Sequence, residues 1–289
     1  MTGTRTDGQV GGDGRPIRPD ERSGVLRPGN LERYRATWFE PAPEVRTAVD
    51  RYWCVHWSLD AGKELTQRII DLPAVTLTVE EGAVPGPLMV TGVHRRAWRR
   101  RIAGSGSVFA IRLRPAGLAL LGDLGPGRVA DATVALTPEL DPRLHSLMAG
   151  VAEGDTPERR ARLADRMIGA RLSGSRASSD LLLANAALTE LTDRVRSRAG
   201  QDLAGKFGVS ERTLQRAFGS TLGHGPKWVS RRVRLQEVAR ALATRAEADL
   251  AALAVELGYA DQAHLTNDFR GVAGVAPGDY RRSLGGPEG

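Results

Sequence analysis

Two stretches near the C-terminal end decide the fold: GVSERTLQRAF at residues 208–218 and GYADQAHLTNDF at residues 258–269. Each begins with a glycine and ends with a leucine and, four residues later, a phenylalanine; the second stretch has one additional residue between its glycine and its leucine. A Leu-Ala pair precedes each glycine, and a glycine and a proline follow each phenylalanine. A pattern that recurs at this many positions predicts two copies of one supersecondary unit.

Each copy has the residues expected of a helix-turn-helix. The alanine of the Leu-Ala pair lets two helices cross closely, and Gly208 or Gly258 can adopt the left-handed conformation that ends the first helix. Ser210 or Asp261 can then cap the second helix. The leucine and the phenylalanine lie on one face of that helix, where we expect them to be buried.

The opposite face of each second helix carries side chains of the types that read base edges and phosphates in a major groove. These side chains are Arg212, Thr213, Gln215 and Arg216 in the first copy and Ala263, His264, Thr266 and Asn267 in the second. A single copy would fit a helical corner with a solvated polar face equally well. Two copies in tandem favour DNA binding.

Residues 180–283 resemble the DNA-binding domain of the AraC/XylS family of bacterial regulators. The resemblance is carried by residues 208–218, 234–235, 253–254, 258–265, 269–270 and 277–281. It implies seven helices, with two recognition helices entering successive major-groove segments on one face of the DNA. It also implies promoter DNA and RNA polymerase as partners, and activation as the commoner outcome.

The resemblance implies DNA contacts on the two recognition helices, and a basic run on the connector between them, Lys227, Arg231, Arg232 and Arg234, can approach phosphates. The candidate contacts are Arg212, Thr213, Gln215, Arg216, Lys227, Arg231, Gln262, Ala263, His264, Thr266, Asn267 and Arg270. His264 could equally be partly buried and bonded to the helix backbone. Arg234 could approach phosphates or pair with an acidic residue inside the domain. Asn267 stands where family members commonly carry arginine, so the second unit is expected either to bind more weakly or to prefer adenine over guanine at the base pair that Asn267 contacts. Asp268 beside it adds a negative charge that faces either phosphates or a neighbouring helix.

The first half of the chain has the period of β-strands. Trp53, Val55 and Trp57 alternate with more polar residues, and residues 75–79 and 109–113 alternate similarly, which predicts half-buried strands. Helical spacing begins near Pro138. The chain is therefore predicted to contain a disordered tail (1–29), a β-rich sensor domain with trailing helices (30–172), a linker (173–179), the double helix-turn-helix domain (180–283) and a short tail (284–289).

Residues 34–136 resemble an uncharacterised sensor-like domain that often precedes this DNA-binding module. The resemblance is carried by Tyr52-Trp53, residues 70–73, Gly92 and residues 111–117. It implies a β-rich, cupin-like barrel or half-barrel followed by helices that support dimerisation, and it leaves the effector unidentified. The predicted fold class is α+β, with a β-rich N-terminal domain and an all-α C-terminal domain. The helices of residues 138–172 could pair two chains as a homodimer or act within one chain.

The densest basic segment is HRRAWRRR at residues 94–101, with Arg112 and Arg114 expected on a neighbouring strand. It either recognises an anionic effector or DNA backbone, or forms a solvated edge that discourages strand association, and we favour the solvated edge. Cys54, His56 and His94 lack the spacing of metal ligands, so no metal and no cofactor are expected.

Composition sets broad limits on the function. The chain has 289 residues, a formal charge of +7 and one cysteine, Cys54, which excludes an internal disulfide and a cysteine-cluster zinc site. No long apolar run and no signal peptide are present, so we expect a cytoplasmic protein with no membrane partner. The positive charge permits a polyanionic partner without requiring one.

Three functions are compatible with these patterns, and a transcription regulator controlled by a signal or small molecule is favoured. An enzyme fused to a DNA-targeting domain is disfavoured, because no paired carboxylates, nucleophile elbow, phosphate loop or metal-spaced histidines occur. A constitutive architectural DNA-binding protein would require a first domain without an apolar cavity.

Overall fold

The computed structural model describes residues 14–16, 25–26, 30, 33–174, 176–195, 202–245 and 248–284. It confirms the predicted α+β class, since strands fill the first half and helices the second. The strands are β1 (Arg15–Pro16), β2 (Tyr34–Phe39), β3 (Val49–Ser58), β4 (Glu64–Ile69), β5 (Thr76–Gly82), β6 (Leu88–Thr91), β7 (Trp98–Ala103), β8 (Ser105–Leu113) and β9 (Thr133–Ala135).

Seven of the strands form one antiparallel sheet in the order β1-β2-β3-β8-β5-β6-β9. The remaining two, β4 and β7, pair antiparallel and lie over one face of that sheet, where Leu65 and Ile102 pack against Trp57 and Val108. The opposite face packs against helices. Both faces of the large sheet are therefore covered.

Because both faces of the sheet are covered, alternate residues of β3 face two different sets of neighbours. Tyr52 and Cys54 point into the core shared with the helices, whereas Trp53, Val55 and Trp57 point towards β4 and β7. Near the end of the strand Trp57 is only 5% exposed while His56 and Ser58 are exposed, so the alternation there separates core from solvent. The prediction of strands was confirmed. The half-buried pattern holds at residues 56–58 and fails at Tyr52 and Cys54, where the face opposite the tryptophans is also buried.

The helices complete both halves of the fold. They are α1 (Gly117–Leu121), α2 (Pro142–Ala152), α3 (Pro157–Ser173), α4 (Ser179–Asp193), α5 (Leu203–Lys206), α6 (Glu211–Leu222), α7 (Pro226–Thr244), α8 (Leu250–Glu256), α9 (Gln262–Ala273) and α10 (Pro277–Leu284). The described part of the chain thus has seven helices from α4 onward, the number implied by the resemblance.

Helices α2 and α3 use their apolar faces within the chain. Leu144, Leu147 and Met148 of α2 and Ile168 of α3 are fully buried in the core beneath the large sheet. The intramolecular role left open by the sequence is therefore observed. Pairing of two chains through these helices stays a prediction.

The predicted disordered tail, residues 1–29, lies mostly outside the described residues. Where it is described, it is packed: β1 pairs with β2, and Val25 and Leu26 are buried. The Tyr280 hydroxyl donates a hydrogen bond of 2.9 Å to the carbonyl of Val25. The prediction of disorder does not hold at these positions, because Arg15–Pro16 pair with β2 and the Leu26 side chain lies in one core with residues of the C-terminal helices.

The break between the two halves lies near the predicted linker. Helix α3 ends at Ser173, and the Ser178 side chain caps α4 by accepting from the Leu181 N–H. The division into independent domains stays a prediction. Most of the predicted C-terminal tail, 285–289, lies outside the described residues.

Candidate nucleic-acid interface

The two predicted corners have matching backbones. Gly208 and Gly258 adopt left-handed conformations with φ of 62° and 73°. The Ser210 hydroxyl accepts from the Thr213 N–H at 3.1 Å, and an Asp261 carboxylate oxygen accepts from the His264 N–H at 2.7 Å. Both the glycine and the cap predictions are confirmed.

The buried stripes are also as predicted. Leu214, Phe218, Leu265 and Phe269 are at most 1% exposed. They lie in two separate cores, because Leu214 and Phe218 pack with residues of α4, whereas Leu265 and Phe269 pack with residues of α10. Helix α7 contributes to both cores, its N-terminal half to the first and its C-terminal half to the second. It is thus the rigid connector between the two units.

The outward face of α6 is exposed at Arg212, Gln215 and Arg216 and partly exposed at Thr213. Arg216 is held by Asp180 of α4, with its Nε 2.7 Å and its Nη2 3.2 Å from the two carboxylate oxygens. The hydrogen bond from Arg216 holds the pKa of Asp180 below its usual value. Of the two arginines on this face, Arg216 alone forms an ion pair with another described residue.

Gln215 lies against the start of α7. A Cβ atom at Gly225 would lie 2.6 Å from the Gln215 side-chain amide, the far end of an exposed side chain. The amide therefore lies beside the N-cap of the connector while Gln215 stays open to solvent. Sequence reasoning did not anticipate this contact.

The outward face of α9 is exposed at every predicted contact except Thr266, which is partly exposed. The exposed positions are Gln262, Ala263, His264, Asn267 and Arg270. Arg270 donates a hydrogen bond of 2.7 Å to the Asn267 side-chain oxygen. His264 stands edge-on to the Tyr259 ring at 5.2 Å, so the partly buried alternative for this histidine is not the one observed.

The connector residues have definite partners. Arg231 lies 2.6 Å from the Asp268 carboxylate, which therefore faces a neighbouring helix. Arg234 places its guanidinium 4.9 Å from the centre of the Tyr259 ring and donates to the carbonyls of Leu257 and Gly258. The alternative that Arg234 pairs with an acidic residue was wrong. Lys227 is exposed in the first turn of α7.

An open cleft of about 580 Å³ separates the two units. Glu211 and Gln215 border it from α6, Lys227 and Arg234 from α7, and Glu256 from α8. The lining contains both acidic and basic side chains, so the cleft by itself is not a uniformly positive groove.

The basic segment 94–101 runs into β7, whose partner is β4. The expectation that Arg112 and Arg114 lie on a neighbouring strand was wrong, because β8 pairs with β3 and β5. Arg99 and Arg101 are exposed, as the solvated-edge interpretation expects, and Arg101 pairs with Glu64 at 2.5 Å. Arg100 points inward instead.

Among the described residues, no group of three histidine, cysteine or acidic side chains is arranged to hold a metal ion. The Cys54 sulfur lies 3.6 Å from a ring nitrogen of His56. Burial raises the pKa of the Cys54 thiol to about 12, so it is protonated near neutral pH.

Sequence reasoning missed the contacts that join the two halves of the chain. Arg232 of α7 is 3% exposed and donates from Nε to the carbonyl of Asp71 at 2.9 Å. The Ala97 N–H donates to the carbonyl of Val272 in α9 at 3.0 Å. Apart from its place in a basic run, Arg232 carries no sequence signal for this role.

Sequence reasoning also left the effector site unknown. A cavity of about 220 Å³ lies between the large sheet and the β4–β7 pair. Four of the five tryptophans of the chain line it, namely Trp38, Trp53, Trp57 and Trp98. Gln236 of the connector α7 also contributes to its wall. The alternation of tryptophan in β3 was the available signal.

None of the helices formed by the described residues combines the length and the apolar character needed to cross a membrane.

Comparison with known proteins supports the assignment of the C-terminal half. Residues 203–283 match the family model of a helix-turn-helix domain, and residues 37–135 match a family described as Domain of unknown function (DUF6597). Proteins of Streptomyces lividans and Streptomyces antibioticus that are assigned as AraC-like transcription regulators are each 36% identical over 104 residues. Those residues are 36% of this chain and 34% of each relative, so the match spans about a third of the relatives' length.

Solved structures of ToxT from Vibrio cholerae are similar at a lower level. One has 12% identity and a TM-score of 0.40, covering 78% of this chain and 99% of ToxT. Another, with an unsaturated fatty acid bound, has a TM-score of 0.38 and covers 83% and 89%. Similarity at this level supports no argument about function.

The duplicated corners, their caps and the matched relatives agree: residues 203–283 form a helix-turn-helix domain that is similar to part of the AraC-like transcription regulators.

Proposed function

We propose that this protein is a sequence-specific DNA-binding transcription regulator whose recognition helices are α6 and α9. The observation that carries the proposal is the duplication itself: two helices with the same cap, the same terminal glycine and the same buried stripe each present a polar face to solvent. Such faces bind base edges and phosphates when a helix lies in a major groove. Duplicated faces can engage two neighbouring groove segments at once.

The two faces have different parts in this proposal. In the first unit, Arg212 reads a base or holds a phosphate, Thr213 and Gln215 contact the DNA beside it, and Arg216 joins them when it exchanges Asp180 for DNA. In the second unit, the exposed and partly exposed side chains of α9 supply most contacts. These are Gln262, Ala263, His264, Thr266 and Asn267, with Arg270 beside them.

The connector contributes to the same surface. Lys227 is the exposed cation in the first turn of α7 and would bind a phosphate. Arg231 would contribute only in part, because its guanidinium is already bound to Asp268.

We infer that the N-terminal domain senses a small molecule and changes how the two units meet DNA. The tryptophan-lined cavity and its contact with α7 support this role over an effector-independent architectural one. Activation through RNA polymerase, action in the cytoplasm and a homodimeric state belong to the same proposal. The role given to the domain is binding, without catalysis.

The test begins with a DNA site selected in vitro by the full-length protein. Binding is then measured by fluorescence anisotropy over a series of salt concentrations. Arg212→Ala should weaken specific binding by about 1–3 kcal/mol, as expected for an arginine that contacts a base. Arg166→Ala removes the same charge from an exposed position on α3 and serves as the control. Equal affinity of the two variants would show that α6 is not a recognition helix.

A further inference from the structure

The cavity beneath β4 and β7 has the size and the walls of a site for a flat ring system. Its volume is about 220 Å³, and an apolar cavity of about 150 Å³ suffices to bind benzene. One or two fused rings would therefore fill it. The tryptophans that line it supply flat aromatic surfaces, against which rings pack by offset stacking or edge-to-face contact.

The charged side chains of the wall are Asp71, Glu80, Arg100 and Arg112. Arg100 binds Glu80 through both terminal nitrogens, at 2.9 and 2.7 Å. Arg112 donates from Nε to Asp50 at 2.7 Å, so its charge is also matched from within the chain.

Asp71 forms no ion pair with another described residue; Arg232 donates to its backbone carbonyl at 2.9 Å. Burial raises the pKa of Asp71 to about 6, and the charges of Arg232 and Arg112 oppose that rise. The three carboxylates at and behind the wall, Asp50, Asp71 and Glu80, are thus matched in number by three arginines, Arg100, Arg112 and Arg232. A charged ligand would be buried without a counter-charge of its own, which is unfavourable. The cavity therefore selects against ions.

One polar group of the wall lacks a partner. The indole N–H groups of Trp57 and Trp98 donate to the Ala103 carbonyl at 3.1 Å and to the Thr133 hydroxyl at 3.2 Å. Trp38 is only 9% exposed, and its N–H has no acceptor among the described residues. A buried donor without an acceptor is costly, so a ligand that brings an acceptor gains from this position.

The cavity also reaches the DNA-binding half directly. Gln236 belongs to α7, the helix shared by both helix-turn-helix cores, and it forms part of the wall. A molecule in the cavity would therefore contact the connector itself.

We propose that this cavity binds an uncharged, planar aromatic molecule of one or two rings with a hydrogen-bond acceptor at its edge. The proposal rests on the sensor function proposed above and gives the ligand class of that sensor. The acceptor bonds to the indole N–H of Trp38, and the rings pack against the other tryptophans.

Isothermal titration calorimetry of the full-length protein with four naphthalene probes tests the ligand class. The probes are 2-naphthol, naphthalene, 2-naphthoate and 2-naphthylmethylammonium, all at pH 7.5. We expect 2-naphthol to bind at one site per chain, and the two ions to bind roughly tenfold more weakly or worse. Equal affinity for either ion would overturn the charge argument, and failure of both neutral probes to bind would overturn the proposal.

The role of Trp38 has its own variant. Trp38→Phe keeps an aromatic ring and removes the N–H, so affinity for 2-naphthol should fall about three- to tenfold while affinity for naphthalene stays unchanged. Trp228→Phe is the matched control, because Trp228 stacks on His224 outside the cavity. An equal loss for both probes would contradict the hydrogen bond.

The site itself is tested by filling it. Ala36 lines the cavity from β2, and Ala36→Phe should abolish 2-naphthol binding. Ala61→Phe, on an exposed turn, should leave it unchanged. Circular dichroism tests whether both variants fold. If Ala36→Phe does not fold, the comparison of Trp38→Phe with its control tests the site instead.

DNA binding is measured separately on the same proteins. If the proposed regulator function is wrong, the protein will select no DNA site but will still bind the probes. If the ligand proposal is wrong, the protein will bind DNA but none of the probes.

Discussion

The two helix-turn-helix units share a backbone and differ in how their outward charges are used. The first presents Arg212 and Arg216, and of these two only Arg216 is bound by a carboxylate, that of Asp180 on α4. In the second, Asn267 is bound by Arg270, and Asp268 is bound by Arg231 of the connector. Cap and turn positions are constrained by the backbone, whereas outward positions are free to vary. Under the proposed function, the first unit would mainly anchor the DNA electrostatically and the second would mainly read its sequence.

The N-terminal domain also holds the two units differently. It contacts the first through α4, where Asn185 accepts from the Ala116 N–H at 2.9 Å and donates to the Thr47 carbonyl at 2.8 Å, and through Val93, which lies in one core with Leu214 and Phe218. It contacts the second through the Val272 carbonyl of α9 and the Tyr280 hydroxyl of α10. Each unit is therefore held by its own set of contacts with the N-terminal half.

The largest expected effects come from the two core phenylalanines. Phe218→Ala and Phe269→Ala should each lower the free energy of unfolding by about 3–5 kcal/mol, because both side chains are completely buried. Only Phe269→Ala should also speed hydrogen exchange at the Ala97 amide, whose acceptor lies on α9. Urea unfolding and exchange mass spectrometry measure the two effects. Equal exchange in both variants would show that the units are not held differently.

A smaller effect is expected at the junction with the connector. The pKa of Asp71, raised to about 6 by burial, means that the native state binds this proton more tightly than the unfolded chain does. The free energy of unfolding should therefore fall as pH rises from about 4 to about 6, by at most about 3 kcal/mol. Asp71→Asn should remove that slope and stabilise the protein at pH 7.

Thermal unfolding at several pH values checks this expectation. Asp60→Asn, on an exposed turn, is the control and should keep the slope of the unsubstituted protein. A slope that survives Asp71→Asn would assign the titration to another group.

Local signals in the sequence predicted the corners well and the contacts between halves poorly. Gly208, Ser210 and Phe218 act through residues close to them in the chain, so their spacing is sufficient to predict a turn, a cap and a core position. Arg232 and Val25 act on residues far away in sequence, and nothing in their neighbourhood reveals those partners. The cavity was missed for the same reason.

The ion-pair and hydrogen-bond partners within the proposed interface could not be predicted from the sequence either. The residue types of Arg216 and Asn267 suggested contact with DNA, and their exposure agrees with that. Their present partners, Asp180 and Arg270, depend on side-chain geometry that a linear pattern does not contain.

The next prediction concerns the reading role of the second unit. If Asn267 exchanges Arg270 for a base, sites selected by the unsubstituted protein should carry adenine at one position. Asn267→Arg should change the preferred base at that position to guanine, with binding to the guanine site favoured over the adenine site by about 1–3 kcal/mol. Asn267→Ala should remove the preference. Sequencing of sites selected in vitro by the three proteins provides the measurement. Guanine opposite Asn267 in the unsubstituted protein would contradict the assignment.

The smallest expected effect concerns the anchoring role of the first unit. Asp180→Asn removes the charge that holds Arg216, so Arg216 becomes available to a phosphate or a base. DNA affinity should rise about threefold, and the slope of log affinity against log salt should steepen by about one unit as one more cation engages the DNA. Asp193→Asn, an exposed carboxylate on the same helix, is the matched control. If both variants raise affinity equally and leave the slope unchanged, the gain reflects net charge alone, and Arg216 contributes no contact of its own.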